Sequence, residues 1–264
     1  ELKREELLKQ WNQFMDFTQK ILQAINVHNA VEKRIKILAQ RINIELKRLQ
    51  EGLPIYANKG KILESIRTNQ LLFIIGETGC GKGTQLPQYL LEIPLSNGDI
   101  ICIQNERVQA KALSIKVAQD PGKEVDEVLD YQIAGASYFD PNAKLRFSTS
   151  RFFIKKILDD PLLSKYSCIV VDEAQERKKE TDVLLGLLKR AIENNPELKV
   201  IVTSNSQEKQ NFLKYLNCPS IELTTVSFNV KTSYFPREGS TSLKKLIPIF
   251  NQLIHELPNK GISS

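Results

Sequence analysis

The chain has 264 residues, 41% of them hydrophobic and 26% charged, and a formal net charge of +6. That length buries a proper core, enough for one large domain or a domain with an appendage, and the composition is that of an ordinary globular protein. No apolar run approaches membrane-spanning length, the pI near 9.0 mildly favours a polyanionic partner, and four scattered cysteines read as free thiols in a reducing, intracellular setting, nucleus or cytoplasm.

Residues 3 to about 50 contain no Gly or Pro and predict helix. Leu7, Trp11, Phe14, Ile21 and Ile25 form one apolar rhythm, and Val31, Ile35, Leu38, Ile42 and Leu49 another, interrupted near Asn26, His28 and Asn29. The pattern predicts a helical hairpin or a short coiled coil over 1–52, with a possible coiled-coil partner and no chemistry of its own. Gly52-Leu53-Pro54 ends it, and Ile55 to Thr68 predicts a further amphipathic helix.

From there strands and helices alternate. Leu71 to Ile75 is wholly apolar, as in a strand buried on both faces, and Gln85 to Leu91 predicts helix. Ile100–Ile103, Val128–Ile133, Leu145–Ser148, Cys168–Val171 and Lys199–Val202 predict strands. Helices are predicted over Val108–Ala118, Phe152–Leu158, Glu180–Asn194 and Glu208–Leu216. Such alternation predicts an α/β domain with a mainly parallel sheet and helices on both faces. After Cys218 the pattern turns to extended segments, Ser220–Leu223 and Val230–Tyr234, and then a final helix from about Leu243 to Leu257. The expected division is 1–52, 53–235 and 236–264, the last as the start of a further domain in a longer chain.

Between the first strand and its helix stands Gly76-Glu77-Thr78-Gly79-Cys80-Gly81-Lys82-Gly83-Thr84. A strand, a glycine-rich turn and a helix start point successive backbone N–H groups into one concavity, and the helix N-terminus and Lys82 add positive charge. The spacing of Gly76, Gly81 and Lys82 satisfies most of the P-loop pattern, which binds the phosphates of a nucleotide such as ATP. One position departs from it. The Ser or Thr whose hydroxyl ligates Mg²⁺ should follow Lys82, and Gly83 stands there. Thr84 cannot replace it, because one step along a helix turns a side chain about 100° away.

About ninety residues on, Val171-Asp172-Glu173-Ala174-Gln175 ends another apolar run. Asp172 there is the expected Mg²⁺ holder, and Glu173 the group that orients or deprotonates an attacking water.

These segments together resemble the DEAH-box RNA helicases. Residues Gly76 to Gln88 are similar to that family's GETGSGKTTQxPQ, and Asp172 to Arg177 to its DEAHER. Thr181 to Leu185, Pro161 to Tyr166 and Leu53 to Tyr56 match further family segments, so the resemblance covers roughly 53–235, the first of two RecA-like domains. It implies ATP and Mg²⁺ as cofactors, single-stranded RNA as a partner and a second RecA-like domain bearing arginine fingers. Gly76 to Thr84 would hold the nucleotide, with Lys116 where the family often stacks an Arg on adenine. Glu173, Lys82 and Gln175 would be catalytic, and Asp172 the metal residue. Arg107 and Thr149 would touch RNA, and Ser204 and Ser206 would couple hydrolysis to domain movement. The departures are chemical. Glu106 puts a negative charge where the family has a cation, Gln175 replaces a His, and Ser204-Asn205-Ser206 replaces SAT. The two functions these residues support are an ATP hydrolase moving on single-stranded RNA, slowed by Gly83, and a nucleotide-binding scaffold with little hydrolysis.

Overall fold

In a computed structural model the described residues are 29–95, 98–119, 128–133, 136–138 and 143–224, with Asp16 alone ahead of them. They belong to one unit of the chain, which runs to Thr225. The first arm of the expected hairpin, and the segments expected after residue 225, lie outside the described residues.

The first strand, β1 (Leu71–Ile75), explains the architecture. Its side chains alternate, so Leu72 and Ile74 enter one apolar cluster while Phe73 and Ile75 enter another on the opposite face. A strand buried on both faces needs a strand on either side and a helical layer above and below, and it has them. The sheet comprises β2 (Asp99–Gln104), β3 (Val128–Ile133), β4 (Ala136–Tyr138), β5 (Leu145–Thr149), β6 (Tyr166–Val171), β7 (Lys199–Ser204) and β8 (Ser220–Glu222) besides β1. Its order is β4-β3-β5-β2-β6-β7-β1-β8. Neighbours are parallel throughout except β3 and β4, which pair antiparallel. β4 is the strand that the sequence pattern did not predict.

The helices are α1 (Asn29–Glu51), α2 (Pro54–Ala57), α3 (Lys59–Thr68), α4 (Lys82–Leu90), α5 (Arg107–Gln119), α6 (Ser150–Asp159), α7 (Lys179–Asn194) and α8 (Lys209–Leu216). One face of the sheet packs Ile55, Ile62, Leu86, Tyr89, Ala110 and Val117 from α2 to α5. The other packs Phe153, Ile157, Leu184, Leu188, Phe212 and Leu216 from α6 to α8. The single helix expected over Ile55–Thr68 is two helices. Asn58 breaks it with φ −102° and ψ 5°, and its side-chain amide donates to the Pro54 carbonyl at 3.3 Å, a local bond that competes with the helical ladder. None of the helices among the described residues is long and apolar enough to cross a membrane.

The helix α1 ends at Gly52, in the left-handed region with φ +61°, a conformation that glycine adopts without strain. Near that end Arg48 is buried. Its guanidinium donates to Glu45 at 2.7 Å, Glu92 at 2.5 Å and Gln88 at 3.1 Å, and lies 4.8 Å from the Tyr89 ring centre. Lys59 completes the cluster with ion pairs to Glu45 and Glu92. The cluster fastens α1 to the C-terminal end of α4.

Candidate functional site

Parallel strands deliver their C-terminal ends to one edge of the sheet, and five of them meet there in an order set by the topology. Across that edge come Thr149 and Ser150 after β5, Gln104 to Arg107 after β2, Asp172 to Lys178 after β6, Ser204 to Ser206 after β7, and the glycine loop after β1. Nearly every residue singled out in the sequence thus lies along one line.

At one end of the line the loop Gly76–Gly81 is pinned at both its ends. The Gly76 N–H donates to the Ser204 carbonyl at 2.9 Å, and the Ile55 N–H to the Cys80 carbonyl at 3.1 Å. Glu77, Thr78 and Gly79 form its exposed tip. Gly79 and Gly81 have φ of +87° and +100°, and a Cβ at Gly81 would stand 2.6 Å from Ile55 Cγ2. No side chain fits there. Lys82 is only 4% exposed, and its ammonium donates to the carbonyls of Gly76 and Glu77, the latter at 3.1 Å. Cys80 is buried beneath it, and burial pushes its thiol pKa up against the pull of Lys82. The loop therefore offers a neutral thiol, bare backbone and one ammonium, a donor set that suits a phosphate chain.

Beside the loop stands the acidic turn. Asp172 is 3% exposed. Its Oδ1 accepts from the Thr203 hydroxyl and its Oδ2 from Gln104 Nε2 at 3.0 Å. The Thr203 oxygen in turn accepts the Glu173 N–H at 3.3 Å. Glu173 adopts φ +52°, and so, at +50°, does Arg177 on the far side of a one-turn 3₁₀ segment, Ala174–Glu176. A non-glycine residue held there needs surroundings that over-determine it, and this turn is held at many points. Gln175 gives its amide N–H to the Glu173 carboxylate and takes the Asn205 N–H on its carbonyl oxygen at 3.2 Å. The Ser206 hydroxyl donates to Glu77, joining the segment after β7 to the loop. Ser204, expected in the same role as Ser206, is fully buried, and its hydroxyl oxygen lacks a hydrogen-bond partner among the described residues.

Gly83 lies in the first turn of α4, against the Asp172 carboxylate. A Cβ there would meet Asp172 Oδ2 at 2.8 Å and Leu113 Cδ1 at 3.3 Å. The carboxylate thus occupies part of the room that a hydroxyl-bearing side chain would need. Pro87, four residues on, has no N–H for the Gly83 carbonyl, yet that carbonyl points along the helix away from the loop. Among the described residues no three His, Cys, Asp or Glu side chains come together to hold a metal unaided. Asp172, with spare lone pairs on both oxygens, fits Mg²⁺ carried mainly by phosphates and water, the usual arrangement for that ion.

At the other end of the line a groove of about 580 Å³ opens. The cations Arg107, Arg151, Lys155 and Lys178 line it, with Phe152, against the carboxylates of Glu106 and Glu180. Arg107 and Thr149, expected together, both line it. Glu106 is not a bare negative charge, since Lys178 forms an ion pair with it. Lys116 is elsewhere, on the exposed side of α5, one turn beyond Leu113.

Four residues that hold this edge together have no role assigned from the sequence: Gln104, Asn105, Thr203 and Thr181. The available signal was a polar residue at the end of a buried apolar strand, which Gln104 and Thr203 both are. Asn105 and Thr181 carry no such mark.

No protein-family model matches the chain. It is 36% identical over 198 residues to the pre-mRNA-splicing factor ATP-dependent RNA helicase prp22 of Schizosaccharomyces pombe, a match covering 74% of this chain and 17% of that protein. It is 37% identical over 194 residues to the probable ATP-dependent RNA helicase DHX35 homolog of Caenorhabditis elegans, covering 73% of this chain and 25% of that protein. The chain therefore spans a quarter or less of the length of these two relatives.

Proposed function

The chain belongs to the DEAH-box RNA helicase family, and from that premise we propose that residues 53–235 are a RecA-like domain that binds ATP and couples its hydrolysis to movement on single-stranded RNA. Residues 1–52 are then a helical-hairpin or coiled-coil extension ahead of it in the sequence, 236–264 lead into the next domain, and a second RecA-like domain supplies the arginine fingers. The observation that carries the reading is the single line of strand ends, with a phosphate-type loop at one end, a basic groove at the other and the acidic turn between them.

In this reading Lys82 leaves the Gly76 and Glu77 carbonyls for the β- and γ-phosphates, and the loop from Gly76 to Thr84 wraps the chain of phosphates. Lys116, at the position where the family often stacks an Arg, would meet the adenine. Magnesium, bound with the nucleotide, neutralises charge on the phosphate oxygens. Asp172 is oriented for it by Thr203 and Gln104. Glu173 orients the attacking water, and Gln175 fixes the direction of that carboxylate. Through Asn205, Gln175 also joins the turn to the segment holding Ser204 and Ser206, whose displacement would pass hydrolysis on to the second domain. Arg107 and Thr149 take RNA phosphates in the groove, where Lys178 offsets Glu106.

Calorimetric titration of ATP into the chain in Mg²⁺ tests this. Binding that disappears in Lys82→Ala is the expected result, and no binding by the unaltered chain refutes it. A second reading, a nucleotide-binding scaffold with little hydrolysis, draws on Gly83 and on the carboxylate packed against it. Turnover by a longer form that contains both RecA-like domains separates the two.

A further inference from the structure

The acidic turn and the groove share one side chain. Asn105 lines the groove, yet its amide Nδ2 donates to the backbone carbonyl of Glu173 at 3.0 Å. Its Oδ1 accepts the Thr181 hydroxyl at 2.6 Å. Thr181 is 1% exposed, and Ser150, at the start of α6, brings its own hydroxyl to 3.2 Å from it. The Thr181 proton is spent on Asn105, so at that contact Ser150 is the donor. The bonds therefore run in one direction, from Ser150 to Thr181 to Asn105, while Asn105 separately donates to Glu173. A one-way chain polarises along its length, so disturbing one end is felt at the other.

The far end of this chain is a residue whose left-handed backbone needs support. Glu173 sits at φ +52°, with its N–H on Thr203 and its C=O accepting both the Glu176 N–H at 3.2 Å and the Asn105 amide. Thr203 also holds Asp172, so that anchor answers to the metal side. Asn105 answers to the groove. The carboxamide does both because its donor and its acceptor sit on separate atoms of one planar group. An Asp would turn an oxygen toward the Glu173 carbonyl, and a Pro has no hydrogen-bonding side chain.

We propose that Asn105 is a positioning residue through which an occupied groove fixes the backbone of Glu173, with Thr181 and Ser150 relaying the occupancy. A ligand that orders Ser150 and the start of α6 tightens the bond at Thr181 and holds the Asn105 amide square to the Glu173 carbonyl. The inference rests on the proposed reading in one respect, that the groove takes single-stranded RNA.

Hydrogen exchange on the full chain tests it, with a ten-residue oligouridylate as probe at concentrations that saturate each variant. In the unaltered chain the oligonucleotide slows exchange across Asp172–Lys178 by about fivefold or more, as expected where a local opening is suppressed. Thr181→Val, which matches Thr in shape and lacks the hydroxyl, loses that slowing. Thr181→Ser keeps it, and Asn105→Ala loses it and raises exchange in the free turn. Equal slowing in the unaltered chain and in Thr181→Val overturns the proposal, as does bound oligonucleotide that leaves the turn unchanged. If the oligonucleotide protects no amide, not even those of Thr149–Phe152 in the groove wall, the RNA reading fails and the inference with it. That outcome is distinct, because the variants would then differ only without the probe.

Discussion

Adding one carbon to Gly83 measures how firmly Asp172 is held. An unstrained Gly→Ala change in a helix stabilises by about 1 kcal/mol. Here the new Cβ starts 2.8 Å from Asp172 Oδ2, and the oxygen must retreat by roughly half an ångström to reach ordinary contact. That oxygen accepts the Gln104 amide at 3.0 Å, and Gln104 is 2% exposed, with little access for water to replace the bond. Leaving such a donor unpaired costs about 1–3 kcal/mol. The two effects together make Gly83→Ala neutral or destabilising by up to about 2 kcal/mol, the reverse of the ordinary sign. Gly83→Ser brings a hydroxyl that donates to the displaced carboxylate, so it should exceed Gly83→Ala in stability by about 1 kcal/mol. Urea unfolding of the three forms gives these differences directly. The same hydroxyl is the Mg²⁺ ligand the loop lacks, so Gly83→Ser, and Gly83→Thr with it, should lower the Mg²⁺ needed for half-maximal nucleotide binding while Gly83→Ala does not. A Gly83→Ala form stabilised by the full helical increment would refute the reasoning, since Asp172 would then yield without cost.

Glu106→Gln releases Lys178 from its ion pair. Oligouridylate should then bind several-fold tighter at low salt, with a logarithmic salt slope steeper by about 0.7; an unchanged slope means that Lys178 meets no phosphate. Gln175 does not titrate, whereas Gln175→His places an imidazole against the Glu173 carboxylate. Nucleotide affinity measured against pH should acquire a step at or above about pH 6.5 in that variant alone. Glu45 is partly buried, which raises its pKa, but Lys59 and Arg48 overcome this and hold it below the ordinary value. A depressed carboxylate stabilises the fold above its unfolded pKa, about 4.3, and the contribution is lost as pH falls through the lower folded value. Melting of Glu45→Gln should therefore differ from that of the unaltered chain at neutral pH and converge with it in acid. A constant gap across that range would exclude the ion cluster as the cause.

What could be read from the sequence was what depends on local pattern. Leu71–Ile75 followed by glycines and a Lys specifies strand, loop and helix within twenty residues, and the acidic turn declares itself by ending an apolar run. β4 went unseen because three residues, Ala136–Tyr138, give too short a window for alternation to register. The Asn58 break was hidden for a different reason, since one side-chain bond to Pro54 outweighs an otherwise helical pattern. Contacts between strand ends were beyond reach altogether. Gln104 meets Asp172 across 68 positions, and Thr181 meets Asn105 across 76, so only the order of the sheet joins them. The pairing of Glu106 with Lys178 belongs to the same class, and it softens the repulsion that Glu106 alone implies.

The glycine loop is shaped from outside itself. Ile55 donates its N–H to Cys80 and fills the space above Gly81, while Arg48 and Lys59 clasp the far end of the following helix through Glu92. Trimming the chain to Leu53, the natural cut on motif grounds, would spare every glycine of the loop and still strand Glu92 and Gln88 without the guanidinium between them. A shortened form that keeps the loop's native shape must start ahead of Glu45.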